Sequence, residues 1–125
     1  MIVLDSSVIL ASAFNEPGQI DLAEAIENAV ISAINFAEIA AKLQERGLKK
    51  AQFDLLIDQC REICVPLTPA QALQAGLWRT ATRHLGLSLG DRCCLALGLE
   101  LDAEVLTAER AWGQVDLGVK VRVIR

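Results

Sequence analysis

Short apolar runs alternate along this chain with longer segments in which apolar residues recur every three or four positions. A short apolar run closed by a polar residue is typical of a buried parallel strand, and the final run alternates apolar and polar positions. The pattern predicts strands over residues 1–4, 29–31, 64–67, 104–107 and 119–124.

Residues that begin and end helices stand between these runs. Asp5-Ser6-Ser7, Ser32 or Asn35, Thr68-Pro69 and Ser88 are suitable helix starts, and Gly47 is a suitable stop. The predicted helices cover about residues 8–13, 20–28, 33–46, 49–63, 69–85 and 89–101. Strands alternating with helices predict an α/β fold, with a central parallel sheet of four or five strands flanked by helices.

Length and composition narrow the class further. With 125 residues and no internal repeat or linker, one domain over residues 1–125 is expected. Only 4% of residues are aromatic and none is Tyr, which argues against binding bases by stacking them on aromatic side chains. The net charge of −4 argues against a broad basic surface for nucleic acid.

The chain shows no sign of a membrane or secretory segment. Its longest apolar stretch, residues 93–99, is too short to span a bilayer, and no basic segment precedes the apolar N-terminus. The four cysteines do not have the spacing of a zinc site, and His84 is the only histidine. We therefore expect a cytoplasmic protein whose cysteines are small buried hydrophobes.

Four acidic residues occupy positions where a parallel sheet binds its ligands. Asp5 follows the first predicted strand and Glu109 the fourth, while Glu38 and Asp91 lie early in helices. Ligands of open parallel sheets bind beyond the carboxyl ends of the strands, so these side chains are candidates to converge there. Carboxylates clustered without a basic partner are suited to the hard cations Mg²⁺ or Mn²⁺.

Each of these acids also has a structural explanation. Asp5 can cap the helix that follows it, and Ser88-x-x-Asp91 matches a capping box. Glu38 has the helical spacing of a solvated, salt-bridged stripe, and Glu109 can pair with Arg110. Local sequence leaves both interpretations of each acid open.

Four segments, in order and spanning nearly the whole chain, resemble the successive motifs of the PIN domain. They are Asp5-Ser6-Ser7, Ile34-Asn35-Phe36-Ala37-Glu38, Leu87-Ser88-Leu89-Gly90-Asp91-Arg92-Cys93-Cys94-Leu95-Ala96 and Leu106-Thr107-Ala108-Glu109-Arg110-Ala111-Trp112. The match is closest to the VapC toxins of bacterial type II toxin–antitoxin modules.

The resemblance implies a Mg²⁺- or Mn²⁺-dependent endoribonuclease that leaves a 5′-phosphate and a 3′-hydroxyl. The implied catalytic residues are Asp5, Glu38, Asp91 and Glu109, with Ser7 and Thr107 as supporting polar residues. The metal would be held chiefly by Asp5 and Asp91, and Glu38 would bind it or orient a water. The family usually has Asp where this chain has Glu109, so direct ligation by Glu109 is in question; Asp116 is interpreted as structural.

The expected partners are an RNA substrate, a VapB-like antitoxin and a second copy of the chain. Arg92, Arg110, Arg79 and Arg83 are candidate contacts to RNA or antitoxin, and Arg92 can also pair with Glu109. The homodimer is expected because the second to fourth helices have more apolar residues than one core face needs. The residues in question are Ile39, Ala40, Leu43, Leu55 and Leu56.

Other functions fit less well. The Glu at position 109 favours, as an alternative, a PIN-like binding or regulatory protein with weakened catalysis. A phosphatase using Asp5 as nucleophile would want a second Asp at the position of Ser7, and no Gly-x-Gly-x-x-Gly supports a Rossmann domain. Cleavage of RNA by purified protein with Mg²⁺ distinguishes the endoribonuclease from the PIN-like binding or regulatory protein.

Overall fold

The computed structural model describes all residues, 1–125, and builds one sheet from five short strands. The strands are β1 Ile2–Leu4, β2 Ala29–Ser32, β3 Cys64–Val65, β4 Glu104–Thr107 and β5 Val121–Val123. Their order is β3-β2-β1-β4-β5, and every neighbouring pair is parallel. The predicted α/β class with a parallel sheet is confirmed.

The helices follow the predicted order, and side chains of Ser32, Thr68 and Ser88 cap three of them. They are α1 Ser6–Ala13, α2 Leu22–Ile26, α3 Ala33–Glu45, α4 Lys50–Ile63, α5 Pro69–Leu77, α6 Arg79–Thr82 and α7 Leu89–Leu101. Two 3₁₀ turns cover Arg83–Leu85 and Arg110–Gln114.

The single helix predicted over residues 69–85 is wrong, because the chain breaks at Trp78. Trp78 ends α5 and is buried, and α6 is only one turn long before the 3₁₀ turn. The Thr82 hydroxyl donates to the Trp78 carbonyl at 2.8 Å. A threonine that bonds back to the carbonyl four residues earlier competes with the helix and bends it.

Both faces of the sheet are covered by apolar side chains. Val3 and Val105 pack on one face against α7 and Trp112, while Leu4 and Leu106 pack on the other face with residues of α1, α3 and α4. This division follows from the alternation of side chains along a strand. None of the helices has the length and apolar character needed to cross a membrane.

The two cores also explain the high apolar content that suggested a dimer. Ile39 and Leu43 are fully buried, Ala40 and Leu56 pack against the same core, and only Leu55 is exposed, at 61%. The proposed apolar surface patch is therefore wrong for four of its five residues. The homodimer stays a prediction, without that support.

The sheet order creates a crevice at one edge. After β1 the chain moves to β2 on one side, and it returns to β4 on the other side of β1. Parallel sheets bind ligands at such a reversal, beyond the carboxyl ends of the two diverging strands. Asp5 directly follows β1, and Thr107 is the last residue of β4.

Candidate active site

The Asp5 carboxylate is buried at the reversal of strand order. It is 1% exposed, and its Oδ2 accepts hydrogen bonds from Ser7 Oγ at 2.6 Å and Thr107 Oγ1 at 2.9 Å. Asp5 stands at the start of α1, but its side chain makes no capping hydrogen bond. The helix-cap explanation for Asp5 is therefore wrong.

The two hydroxyls have their direction set by backbone amides. Ser7 Oγ accepts from Ala108 N at 2.9 Å, and Thr107 Oγ1 accepts from Glu109 N at 3.0 Å. Since an ionised carboxylate can only accept, each hydroxyl donates its proton to Asp5 while it accepts from its backbone amide. Ser7 and Thr107 therefore orient Asp5 and join α1 to the end of β4.

Burial makes the ionised form of Asp5 unfavourable. Desolvation is the main cause that raises its pKa from 3.8 to about 6, and the charge of Asp91 adds to the rise. The hydrogen bonds from Ser7 and Thr107 act in the opposite direction. Two hydroxyl donors do not compensate the buried charge, so the site favours either a proton or a cation.

Asp91 forms the predicted capping box and also lines the cavity that contains Asp5. Its Oδ2 accepts from Ser88 N at 2.8 Å, while Ser88 Oγ accepts from Asp91 N at 3.2 Å, which completes the predicted capping box. Burial raises the pKa of Asp91, and the Ser88 hydrogen bonds lower it. The cap uses one carboxylate oxygen.

Glu38 is held by a residue that the sequence analysis considered only as a helix cap. Asn35 is fully buried, and its Nδ2 donates to Glu38 Oε1 at 2.7 Å and to the Gly90 carbonyl at 3.3 Å. The salt-bridged stripe is wrong for Glu38, because Lys42 pairs instead with Glu45 at 3.7 Å. The available signal was a polar residue three positions before the acid, and hence on the same face of α3.

The four acids line one cavity of about 340 Å³ at this edge of the sheet. Glu109 is exposed at its rim, makes no ion pair with Arg110, and lies beside Ala111 and Trp112. Ser6, Ser7 and Lys42 add polar groups to the lining. The structure thus brings Asp5, Glu38, Asp91 and Glu109 together as their places in the sequence predict.

The carboxylate oxygens that line the cavity are the kind of ligand that a hard divalent cation prefers, but they are spaced widely. No three of the Asp, Glu, His and Cys side chains lie close enough together to hold one ion by themselves. Mg²⁺ commonly keeps several waters and takes only one or two carboxylates from the protein. The buried charge of Asp5 and the all-oxygen donor set fit that mode of binding.

Arg92 does not face the cavity, contrary to expectation. It is 7% exposed, and its guanidinium donates to the Ala75 carbonyl at 2.9 Å and the Ser88 carbonyl at 3.3 Å. These bonds tie the end of α5 to the start of α7. The predicted pair with Glu109 and the predicted contact to RNA or antitoxin are wrong, because the side chain is buried and bonded to carbonyls.

The other predicted arginines are exposed, but only one lies near the acids. Arg110 lines a depression shared with Glu109 and Arg125 beside the acidic cavity. Arg79 and Arg83 do not line that cavity. The sequence analysis missed the basic residues that line the adjoining groove, which are Lys42, Arg46 and Arg125.

A sequence model described as the PIN domain matches residues 2–117. The chain therefore belongs to the PIN domain family. No curated protein sequence matches it significantly.

Solved structures with this fold include three related assemblies. VapBC2 from Rickettsia felis, bound to a DNA fragment from its promoter, is 17% identical, with a TM-score of 0.72 and 98% of each chain covered. VapBC-1 from nontypeable Haemophilus influenzae is 22% identical, with a TM-score of 0.69 and the same coverage. VapBC-5 from Mycobacterium tuberculosis, a member of the VapBC family of toxin–antitoxin systems, is 18% identical, with a TM-score of 0.66. The match covers 98% of this chain and 96% of that chain.

Proposed function

We propose that this protein is a Mg²⁺- or Mn²⁺-dependent endoribonuclease and the toxin of a toxin–antitoxin pair. The observation that carries the proposal is the meeting of Asp5, Glu38, Asp91 and Glu109 around one cavity at the reversal of strand order. Membership of the PIN family and the shared fold with VapBC proteins support it.

The surroundings of each residue indicate its role in the proposed reaction. Asp5 and Asp91 would hold the cation, and Glu38 would bind it or orient the attacking water. A bound Mg²⁺ or Mn²⁺ supplies a more acidic water and neutralises charge on the phosphate. Ser7 and Thr107 keep Asp5 in one orientation through their hydroxyl hydrogen bonds. Attack by water requires no 2′-hydroxyl nucleophile, and the expected products carry a 5′-phosphate and a 3′-hydroxyl.

The proposed partners are RNA, a cognate VapB-like antitoxin and a second copy of the chain. The similar solved structures support an antitoxin, since three of them are VapBC proteins of toxin–antitoxin systems. Arg110 and the groove basic residues are exposed cations that line depressions shared with Glu109, so we place RNA phosphates there. The four unpaired cysteines support a cytoplasmic setting, because thiols persist in reducing compartments.

Cleavage of end-labelled RNA by the purified, antitoxin-free protein tests this function. We expect cleavage with Mg²⁺ or Mn²⁺, none with EDTA, and a loss of at least about 100-fold in Asp5→Asn and Asp91→Asn, as expected when metal ligands lose their charge. Asp58→Asn is the matched control, because Asp58 forms an exposed ion pair with Arg61 on α4 and should leave cleavage unchanged.

Two outcomes would contradict the proposal. Cleavage by this protein that survives EDTA, or that is unchanged in Asp5→Asn, would mean that hydrolysis does not use a cation held at Asp5. Protein that binds Mn²⁺ and RNA but cleaves nothing would instead support the alternative, a binding or regulatory PIN-like protein, for which the exposed and longer Glu109 is the motivating feature.

A further inference from the structure

The Glu38 carboxylate lies against the backbone of α7 at a residue that has no side chain. A Cβ atom built on Gly90 would lie 2.6 Å from Glu38 Oε1 and 2.7 Å from both Cδ and Oε2. Three nearly equal distances mean that the carboxylate lies flat over this position. Gly90 is helical, with no left-handed backbone angle, so a larger residue would have to displace the Glu38 carboxylate and not the backbone.

Asn35 holds the same carboxylate from the other side. Its amide bridges Glu38 Oε1 and the Gly90 carbonyl, and so joins α3 to the first turn of α7. The Asn35 Oδ1 atom is buried and has no hydrogen-bond partner. Rotating the amide would turn that oxygen towards a carboxylate and a carbonyl, both of which are acceptors, so the observed orientation is the favourable one.

Neither residue is the choice that stability alone would favour. Glycine in a helix is less stable than alanine, and a buried acceptor without a partner costs free energy. What the two residues share is the Glu38 carboxylate, which one accommodates and the other binds.

We infer that Asn35 and Gly90 are positioning residues that together fix the Glu38 carboxylate beside Asp91. The expected effect on catalysis rests on the proposed function, whereas the contact of the Glu38 carboxylate with Asn35 and Gly90 does not depend on it. Since Asp91 follows Gly90 directly in α7, a displaced Glu38 changes its distance to Asp91 while leaving Asp5 and its hydroxyl partners in place.

Kinetics of Gly90→Ala and Asn35→Ala measure this role. We expect kcat to fall by about 10- to 100-fold, the effect typical of groups that orient metal-site residues. The KM for RNA should stay within about twofold of the parent, because neither residue is among the exposed cations that would contact phosphates. Gly76→Ala is the matched control: Gly76 is a helical glycine in α5 with no atom within 4 Å of its Cβ position, and its replacement should leave kcat unchanged.

The Glu38→Ala background separates positioning from a general structural effect. If Gly90 and Asn35 act only through the carboxylate, G90A and N35A should cost no further activity in a protein that already carries E38A. Thermal melting of the metal-free protein gives a second readout. G90A should raise the melting temperature more in the E38A background than in the parent, because the colliding carboxylate is then absent.

Three results would overturn the inference. They are G90A as active as G76A, further losses of activity from G90A or N35A in the E38A background, and equal melting shifts for G90A in both backgrounds. If the parent cleaves no RNA, the proposed function fails, and the melting comparison alone decides whether Glu38 occupies the space over Gly90.

Discussion

The protein free of divalent cation should become more stable when Asp5 is replaced by asparagine. Asp5→Asn keeps a carbonyl oxygen that can accept from the Ser7 and Thr107 hydroxyls, so the hydrogen bonds that orient the side chain can persist. The substitution removes a charge that is 1% exposed and has no cation beside it. An increase in stability at a proposed metal ligand is the opposite of what most buried substitutions produce.

The magnitude follows from the pKa of Asp5, which burial raises from 3.8 to about 6. Such a difference between unfolded and folded protein corresponds to about 3 kcal/mol of destabilisation once Asp5 is ionised in both states. Below about pH 4 both states are protonated and the cost is absent. As pH rises the unfolded state loses its proton first, so stability falls between about pH 4 and 6 and the full cost is present above that range.

Urea unfolding in EDTA at pH 4, 6 and 8 tests this expectation. D5N should exceed the parent by up to about 3 kcal/mol at pH 8 and by little at pH 4. Adding Mg²⁺ at pH 8 should stabilise the parent and much less the variant, because a ligand stabilises only the state that binds it. Asp58→Asn serves again as the exposed control and should show no comparable gain.

Two results would refute the reasoning about Asp5. A D5N protein less stable than the parent at pH 8 would mean that its ionised carboxylate contributes to folding. A gain that is the same at pH 4 and pH 8 would mean that something other than the buried charge is responsible, since the cost of that charge must disappear with protonation.

Four further predictions concern growth, the fourth acid, packing and assembly. Expression should arrest bacterial growth and Asp5→Ala or Asp91→Asn should relieve the arrest; variants that still arrest growth would contradict the metal site. Cleavage at saturating Mg²⁺ should fall less in Glu109→Ala than in Asp5→Ala, with Glu109→Asp neutral or slightly faster; equal loss in the two alanine variants would make Glu109 a direct ligand. Gly98→Ala should lower the free energy of unfolding in urea by roughly 1–2 kcal/mol, because the added Cβ would collide with Val105 in the core and the gain in helix propensity offsets only part of that cost. Folded molecules should keep their activity. An unchanged urea midpoint would show that the core accommodates the methyl group. Sedimentation should show a homodimer, and a monomer at micromolar concentration would contradict it.

The order of elements could be predicted because apolar runs mark the strands and several helix starts carry a local signal. Side chains that cap helices stand at Ser32, Thr68 and Ser88, and each forms the expected hydrogen bond. The break at Trp78 has no such signal, since it depends on the burial of the indole and on the hydroxyl of Thr82 bonding back along the chain. Local patterns describe helix ends well and tertiary anchors badly.

The acids could be placed for a similar reason, because strand ends and helix starts meet at one edge of the sheet. Arg92 could not, since its sequence position beside Asp91 suggests the cavity while its side chain turns towards the Ala75 carbonyl of another helix. Asn35 has a local signal in its spacing from Glu38, but its second bond, to the Gly90 carbonyl, is distant along the chain and could not be predicted. Contacts between helices that are far apart in sequence decide which polar side chains reach the site.

Asp5 and Asp91 differ in what each contributes to folding, and this difference bears on function. Asp91 completes a capping box and would have a place in a protein without any activity. Asp5 caps nothing, and its burial raises its pKa and so lowers stability at neutral pH. The charge of Asp5 opposes folding, yet two hydroxyls orient its carboxylate, and backbone amides fix those hydroxyls in turn. Helix capping therefore does not explain this arrangement. The preorganised Asp5 carboxylate is therefore the strongest indication of a functional site, and Asp91→Asn, which keeps an oxygen for the cap, is the substitution that separates the two roles of Asp91.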